Sequence, residues 1–284
     1  MERPIANFLP DGKRLHLSHG PIDLIIEAWG KDRTRAYKQA IERFDNVLEV
    51  LASQIDKLRE PTCSQDKFKC SVSRRMHCAS RKFLPSFTTP MIAVAGSVAD
   101  EILTAMVKDN NLSRAYVNNG GDIAVHLECA QSFDAALAGV PGGHITFQHH
   151  IPYRGIATSG WRGRSFSLGI ADSVTVIACD AAMADVAATL IANAVDLPDH
   201  PGIMREPACQ LAPDNDLNGR LVTVAVASLG PDEVKTALQQ GTELAQSMTD
   251  AGKIGGAVLS LQGQDIVVGL NESIKVLEKG LQDA

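Results

Sequence analysis

The chain has 284 residues, 45% of them hydrophobic and 21% charged, a balance that excludes a disordered polymer and fits a globular protein with a sizeable core. Its formal net charge of −6 argues against a general nucleic-acid surface. No apolar run reads as approaching the ~18–20 residues of a membrane span, and the opening MERPIANFLPDGKR lacks the apolar stretch of a secretory signal, so the expectation is a cytoplasmic protein with neither a membrane nor a nucleic-acid partner.

The predicted elements start with a hairpin, Arg14–Ser18 and Ile22–Trp29, flanking the turn-prone His19-Gly20-Pro21. A long amphipathic helix is expected over about 32–58, with Tyr37, Ala40, Ile41, Phe44, Val47, Leu48, Leu51, Ile55 and Leu58 on one face; Pro61 ends it. Residues 62–87 read as irregular and basic, with Lys67, Lys69, Arg74, Arg75, Arg81 and Lys82. A solvated run is the preferred reading there, over a rim that collects phosphates. A second helix, from Thr89 or Pro90 to Lys108, places Ser97, Asp100, Glu101, Thr104 and Lys108 opposite its apolar side.

Strands are expected at Ala115–Val117, Ile123–Leu127, Ala135–Gly139, Ile145–Gln148, Phe166–Ile170, Val174–Ala178 and Leu221–Ser228. A helix at about Pro231–Asp250 follows, then a hairpin, Gly256–Leu261 and Asp265–Leu270, turning at Gln262-Gly263-Gln264. Strands in runs with helices between them predict an α+β fold with a mainly antiparallel sheet and packed helices. One domain over residues 1–284 is expected, and the open edges of such a sheet are compatible with a homodimer. Six cysteines form no C-x-x-C pair, so the expectation is reduced thiols. Cys63, Cys70, His77 and Cys78 cluster without matching a standard zinc spacing.

The segment that carries the most chemistry is DAAMADVAATLIANAVD, residues 180–196. Asp185, Thr189 and Asn193 interrupt an apolar helix at intervals of four and so stack on one face. The stripe reads either as a solvent face or as a ligand face; it has none of the Lys, Glu or Arg of ordinary solvent faces. A carboxylate waiting there for a metal would be strained, so Asp185→Ala would leave stability unchanged or raise it. Two glycine-bearing stretches accompany it. Asn118-Asn119-Gly120-Gly121-Asp122 reads as a hairpin turn of the Asn-Gly type or as a ligand loop. Gly155-Ile156-Ala157-Thr158-Ser159-Gly160 offers amides and hydroxyls to a phosphate or carbonyl, as many loops do.

In chain order, AGSVADE (95–101), YVNNGGDI (116–123), IATSG (156–160), SVTVIA (173–178) and ADVAAT (184–189) resemble the ApbE superfamily, the flavin transferases that attach FMN from FAD to proteins. HGPIDLIIEAWG and GGAVLSLQGQDIVVGL near the two ends look like a shorter branch of that superfamily without an assigned activity. The resemblance implies an ApbE-like α+β fold related to the T-fold. It implies that Asp185 and Thr189 hold Mg²⁺, a hard cation suited to oxygen ligands. It places Asp100 near the nucleotide, and Asn119, Gly120, Gly121, Asp122, Thr158, Ser159 and Gly160 in loops facing a flavin ligand, FAD or FMN. Asp185 and both loops are then expected to share one cleft.

The chain also departs from that pattern. Ala95 stands where the family has a lysine. Between Gly160 and Ser173 there is only WRGRSFSLGIAD, without the histidine of the family's H-x-x-D-P-x-T-G segment, and Asp172 is its one remnant. Arg162 and Arg164 occupy that shortened loop, as anion ligands or as surface arginines. The expected function is therefore a Mg²⁺-dependent flavin- or nucleotide-binding protein, with the missing segment arguing against FMN transfer. The alternatives are a non-catalytic ligand binder and an accessory protein in sulfide incorporation during homocysteine synthesis, in which Cys63, Cys70 and Cys78 would matter.

Overall fold

The computed structural model describes residues 3–65, 68–137 and 143–269. In chain order the elements are β1 (Ile5–Phe8), β2 (Leu15–His19), β3 (Ile22–Gly30), α1 (Arg33–Phe44), α2 (Val47–Ala52), α3 (Ile55–Leu58), α4 (Ser71–Arg81), a 3₁₀ turn (Pro90–Ala93), α5 (Val94–Val107), β4 (Leu112–Asn119) and β5 (Asp122–Leu127). Then come β6 (Ser132–Ala136), β7 (His144–Gln148), β8 (Gly155–Ser159), β9 (Ser173–Ala178), α6 (Ala181–Ala194), β10 (Ile203–Pro207), α7 (Ala208–Leu211), β11 (Leu221–Val226), α8 (Pro231–Asp250), β12 (Gly256–Leu261) and β13 (Gln264–Val268). The chain divides into two compact units: residues 1–131, 154–157 and 178–186, and residues 132–153, 158–177 and 187–284.

The first unit is an antiparallel sheet in the order β1-β2-β3-β4-β5-β8, with α5 packed on β4 and β5, and α1 on α5 and β3. Alternation explains the buried face: Leu15 and Leu17, then Leu24, Ile26 and Ala28, then Ala115 and Val117 point the same way and are almost wholly covered. On the other face Arg114 stacks over the Trp29 ring, 3.9 Å from its centroid, a cation–π contact between directly paired residues of β4 and β3. The second unit is built on β9-β12-β13, antiparallel throughout, with α8 on β12 and β13. The hairpins β6–β7 and β10–β11 complete it.

The helix expected over 32–58 is three helices. Asp45-Asn46 and Ser53-Gln54 interrupt it, and Asn46 and Gln54 sit near φ −120, ψ 10, a bridge conformation that leaves the helical path while the apolar face continues. The basic stretch expected to be irregular contains α4. Its buried face is Val72, Ser73, Met76, His77, Ala79 and Ser80, and the small polar residues among them hid the apolar period. Its cations and histidine tie down the preceding segment: Arg74 donates to the Phe68 and Lys69 carbonyls, His77 meets the Cys63 carbonyl at 2.9 Å, and Arg81 donates to that of Ser64.

Ser97, Asp100 and Glu101, expected on a polar side of α5, are all buried. Glu101 receives Arg43 at 2.9 Å and Ser71 at 2.5 Å, which ties α1 and α4 to α5. The span Pro90–Val107 is long and apolar enough to cross a membrane, contrary to the sequence reading, with mean hydropathy 1.4, and 61% of it is buried in the fold. β1, β8 and β10 are strands the sequence reading did not contain, whereas 166–170 is not a strand: Ser167 and Leu168 are held by the Asn193 side chain, at 3.3 and 2.9 Å. The expected strand ends at Gly139 and Leu270 lie outside the described residues.

Candidate functional site

Helix α6 is apolar because nearly all of it is interior. Ala181, Ala184, Val186, Ala187, Ala188, Ile191 and Ala192 have essentially no exposed surface, while Asp185, Thr189 and Asn193 keep partial access. The polar stripe seen in the sequence is therefore part of the little of α6 that solvent reaches.

In the first unit the head of α6 wedges against two glycines. A Cβ on Gly96 would lie 2.2 Å from the Ala181 carbonyl oxygen, and one on Gly155 would lie 2.0 Å from the Asp180 carbonyl carbon; no side chain fits at either position. This close approach lets α5 and α6 exchange carboxylates. Asp100, on α5, accepts the Ala181 and Ala182 N–H groups at 3.1 and 2.9 Å. Asp185, on α6, accepts the Gly96 N–H at 3.0 Å, with a further bond from the Ala95 N–H. Each helix thus satisfies orphan donors at the start of the other.

Asp180 completes the α6 head: its side chain accepts the Met183 N–H at 2.8 Å and its carbonyl the Ala184 N–H at 3.1 Å. The first-turn amides of α6 are consequently taken by protein oxygens rather than presented to an anion. Burial pushes the Asp100 carboxyl up to about 7, helped by the neighbouring Asp180 charge and opposed by the two amides and Arg75. Burial pushes Asp185 in the same direction against its own amide bonds. Because the Asp185 carboxylate already has donors, Asp185→Ala is expected to destabilise the fold, opposite to the expectation drawn from the sequence.

The Asn118–Asp122 stretch is the tight connection between β4 and β5, with Asn119 paired to Asp122. Gly120 and Gly121 take φ of 65 and 116, and the Gly121 N–H is held by the Asn118 side chain at 2.8 Å. The hairpin alternative accounts for both glycines. Asn119 does more: its side-chain amide donates to the Ala95 carbonyl at 3.0 Å, joining this turn to the start of α5, where Asp185 binds. Asp122 is buried beside it.

In the second unit Thr158 and Thr175 share a hydroxyl hydrogen bond of 2.8 Å, and the Thr189 hydroxyl donates to that of Ser159 at 3.4 Å. Gly160 follows, and a Cβ there would meet the Asp172 and Ala171 carbonyl oxygens at 2.5 and 2.8 Å. In the shortened loop three donors engage Asp172: Arg162 Nε at 2.6 Å, Trp161 Nε1 at 3.2 Å and the Gln262 N–H at 2.6 Å. The Arg162 guanidinium also lies over the Trp161 ring. Arg162 is thus a partner of Asp172.

Cys63, Cys70 and Cys78 are each partly buried. Burial, together with Asp180, pushes the Cys179 thiol up and makes it a poorer nucleophile at neutral pH. Among the described residues no group of three or more His, Cys, Asp or Glu side chains is placed to hold a metal ion. Sequence reasoning gave no site role to Gly96 or Asp180, and it read Gly155 as the edge of a ligand-facing stretch rather than as the place where the α6 backbone packs. A glycine inside a helix, where alanine is preferred by ~1 kcal/mol, was the available signal for Gly96.

A family model described as "AbpE bacteria" matches residues 6–267. The chain belongs to this AbpE family. It is similar to the UPF0280 protein of Archaeoglobus fulgidus, 38% identical over 108 residues, which are 37% of this chain and 44% of that one. The UPF0280 protein of Methanothrix thermoacetophila is 38% identical over 133 residues, 44% and 52% of the two chains. That of Methanopyrus kandleri is 34% identical over 161, 53% and 60% of the two chains. The matches span about half the length of these relatives. Among solved structures, the apo form of the Pseudomonas stutzeri flavinyl transferase ApbE aligns over 97% of this chain and 96% of that one, at 10% identity and a TM-score of 0.48.

Proposed function

We propose that this AbpE-family protein binds a flavin (FAD or FMN) or another nucleotide in a Mg²⁺-dependent way, with Asp185 and Thr189 as the protein's ligands to the cation. The observation that carries the reading is the stripe on α6: on a helix almost entirely interior, a carboxylate and a hydroxyl one turn apart keep partial access. Both offer oxygen, as a hard cation requires. The bonds from Gly96 and Ala95 leave Asp185 further lone pairs, since an ionised carboxylate has about four acceptor sites. A site with so few protein ligands fits Mg²⁺, which keeps waters and binds through one or two carboxylates plus ligand phosphates. When bound, the cation would neutralise phosphate charge and orient the ligand. Asp185 would hold it, and α5, through the Ala95 and Gly96 amides, would keep that carboxylate in place.

In the first unit the proposed ligand-facing residues are Asn119, Gly120, Gly121 and Asp122; in the second they are Thr158, Ser159 and Gly160. The reading stops at binding and does not extend to FMN transfer. The 161–172 loop contains no histidine, and its carboxylate, Asp172, is engaged by Trp161, Arg162 and Gln262. Thermal unfolding with and without Mg²⁺ and FAD tests this. FAD should raise Tm only when Mg²⁺ is present, and Asp185→Ala should abolish that increment. An unchanged increment in the variant removes the cation from the proposal, and release of AMP from FAD by the wild-type protein would replace a binder with an enzyme.

A further inference from the structure

We infer that Asp100 is a positioning residue: it fixes the Asp185 carboxylate by holding the head of α6 against α5, and does not itself contact a ligand. The inference rests on the reading of Asp185 above only where the cation is concerned; the clamp between the two helices stands on geometry alone.

Three observations converge on it. Asp100 is only 7% exposed, and each of its carboxylate oxygens already accepts a backbone amide of α6, from Ala181 and from Ala182. The backbone it holds, Asp180 to Ala182, sits where the side chains of residues 96 and 155 would otherwise be. One helical turn further along α6, Asp185 returns the contact to Gly96, on the same α5 that carries Asp100.

The two carboxylates therefore close a loop: α5 holds the first turn of α6, and α6 holds the first turn of α5. Releasing the Asp100 end removes the side-chain oxygens that the Ala181 and Ala182 amides donate to. The α6 head is then free to shift from Gly96, and the Asp185 bond lengthens although Asp185 is unaltered. A residue that only contacted a ligand would leave Gly96 undisturbed. A residue that only stabilised α6 would leave the Asp185 carboxylate undisturbed.

Amide hydrogen exchange by NMR on the full chain separates these cases, comparing wild type with Asp100→Ala, Asp100→Asn and Asp185→Asn. In Asp100→Ala the Ala181 and Ala182 amides should exchange at least tenfold faster. So should Gly96, whose amide Asp100 does not touch, while Val117 in the adjoining sheet keeps its protection and reports an intact fold. Asp100→Asn retains one acceptor oxygen and should fall between wild type and Asp100→Ala; it carries the test if the alanine variant does not fold. The converse should also hold, with Asp185→Asn accelerating Ala181 and Ala182.

Mn²⁺ alone, followed by its electron paramagnetic resonance signal, gives the second reading: affinity should fall at least tenfold in Asp100→Ala and partly recover in Asp100→Asn. Gly96 exchange unchanged while Ala181 and Ala182 accelerate overturns the inference, as does wild-type protection of Ala181 and Ala182 in Asp100→Ala. Weakened Mn²⁺ binding with all three amides unaltered also overturns it, in favour of direct contact. Failure of the wild-type protein to bind Mn²⁺ overturns the cation reading of Asp185, and the amide results then decide the clamp without it.

Discussion

Asp185 and Asp172 are both carboxylates that the sequence singled out, and they are stabilised in opposite ways. Asp172 is held by a guanidinium, an indole N–H and a backbone amide, the arrangement expected of an ion pair with a structural task. Asp185, with Asp100 across the helix pair, is held by backbone amides, and burial raises its proton affinity. A carboxylate with its cation already supplied by the protein has little to offer a metal. A carboxylate held only by amides keeps unspent charge, which a bound cation would compensate.

Filling the space against which the head of α6 packs should have the largest effect. Gly155→Ala places a methyl group 2.0 Å from the Asp180 carbonyl carbon, and the expected loss is about 3 kcal/mol or more, or failure to fold. Chemical denaturation checks it; a loss below about 1 kcal/mol would mean that the α6 head shifts freely and the exchanged bonds are incidental. Asp185→Ala should cost about 1–2 kcal/mol by the same measurement, because two amides at the start of α5 lose their acceptor. Unchanged or increased stability would restore the picture of a strained carboxylate waiting for a metal.

The pH dependence sharpens the contrast. An acid whose folded pKa is raised binds more protons in the folded than in the unfolded state between the two values. Stability therefore falls as pH rises through that window and levels off above it. For Asp100 the window runs from 3.8 to about 7. Between pH 5 and pH 7 the wild-type protein should lose on the order of 1 kcal/mol relative to Asp100→Asn. Parallel profiles for the two proteins would show that the amides, rather than burial, dominate at Asp100. The smallest effect belongs to the paired site. Arg162 is 60% exposed, so Arg162→Ala should cost no more than about 0.5–1 kcal/mol, diminishing in high salt, without altering ligand-induced stabilisation. A loss of ligand binding in that variant would return Arg162 to the role of an anion ligand.

Much of the fold was legible because periodicity is local. The hairpin of β2 and β3, the sheet strands β4, β5, β9 and β12, and helices α6 and α8 were all anticipated from apolar spacing and turn residues. The α6 stripe was legible for the same reason: spacing by four on an apolar helix needs no tertiary information. The breaks between α1, α2 and α3 were not, because the apolar face runs through Asp45-Asn46 and Ser53-Gln54 without losing register. Nor was α4, whose buried face includes Ser73, His77 and Ser80.

The sequence by itself determined the α+β class, the family resemblance and the candidate oxygen ligands, because each is written in residue type and spacing along one element. Only the tertiary structure decided what those ligands already hold. Asp100 and Asp185 are 85 positions apart, and what joins them is the close approach of α5 to the head of α6 at Gly96, with β8 against the same backbone at Gly155. A hydrogen bond depends on distances of about 3 Å in space, and no spacing along the chain encodes that.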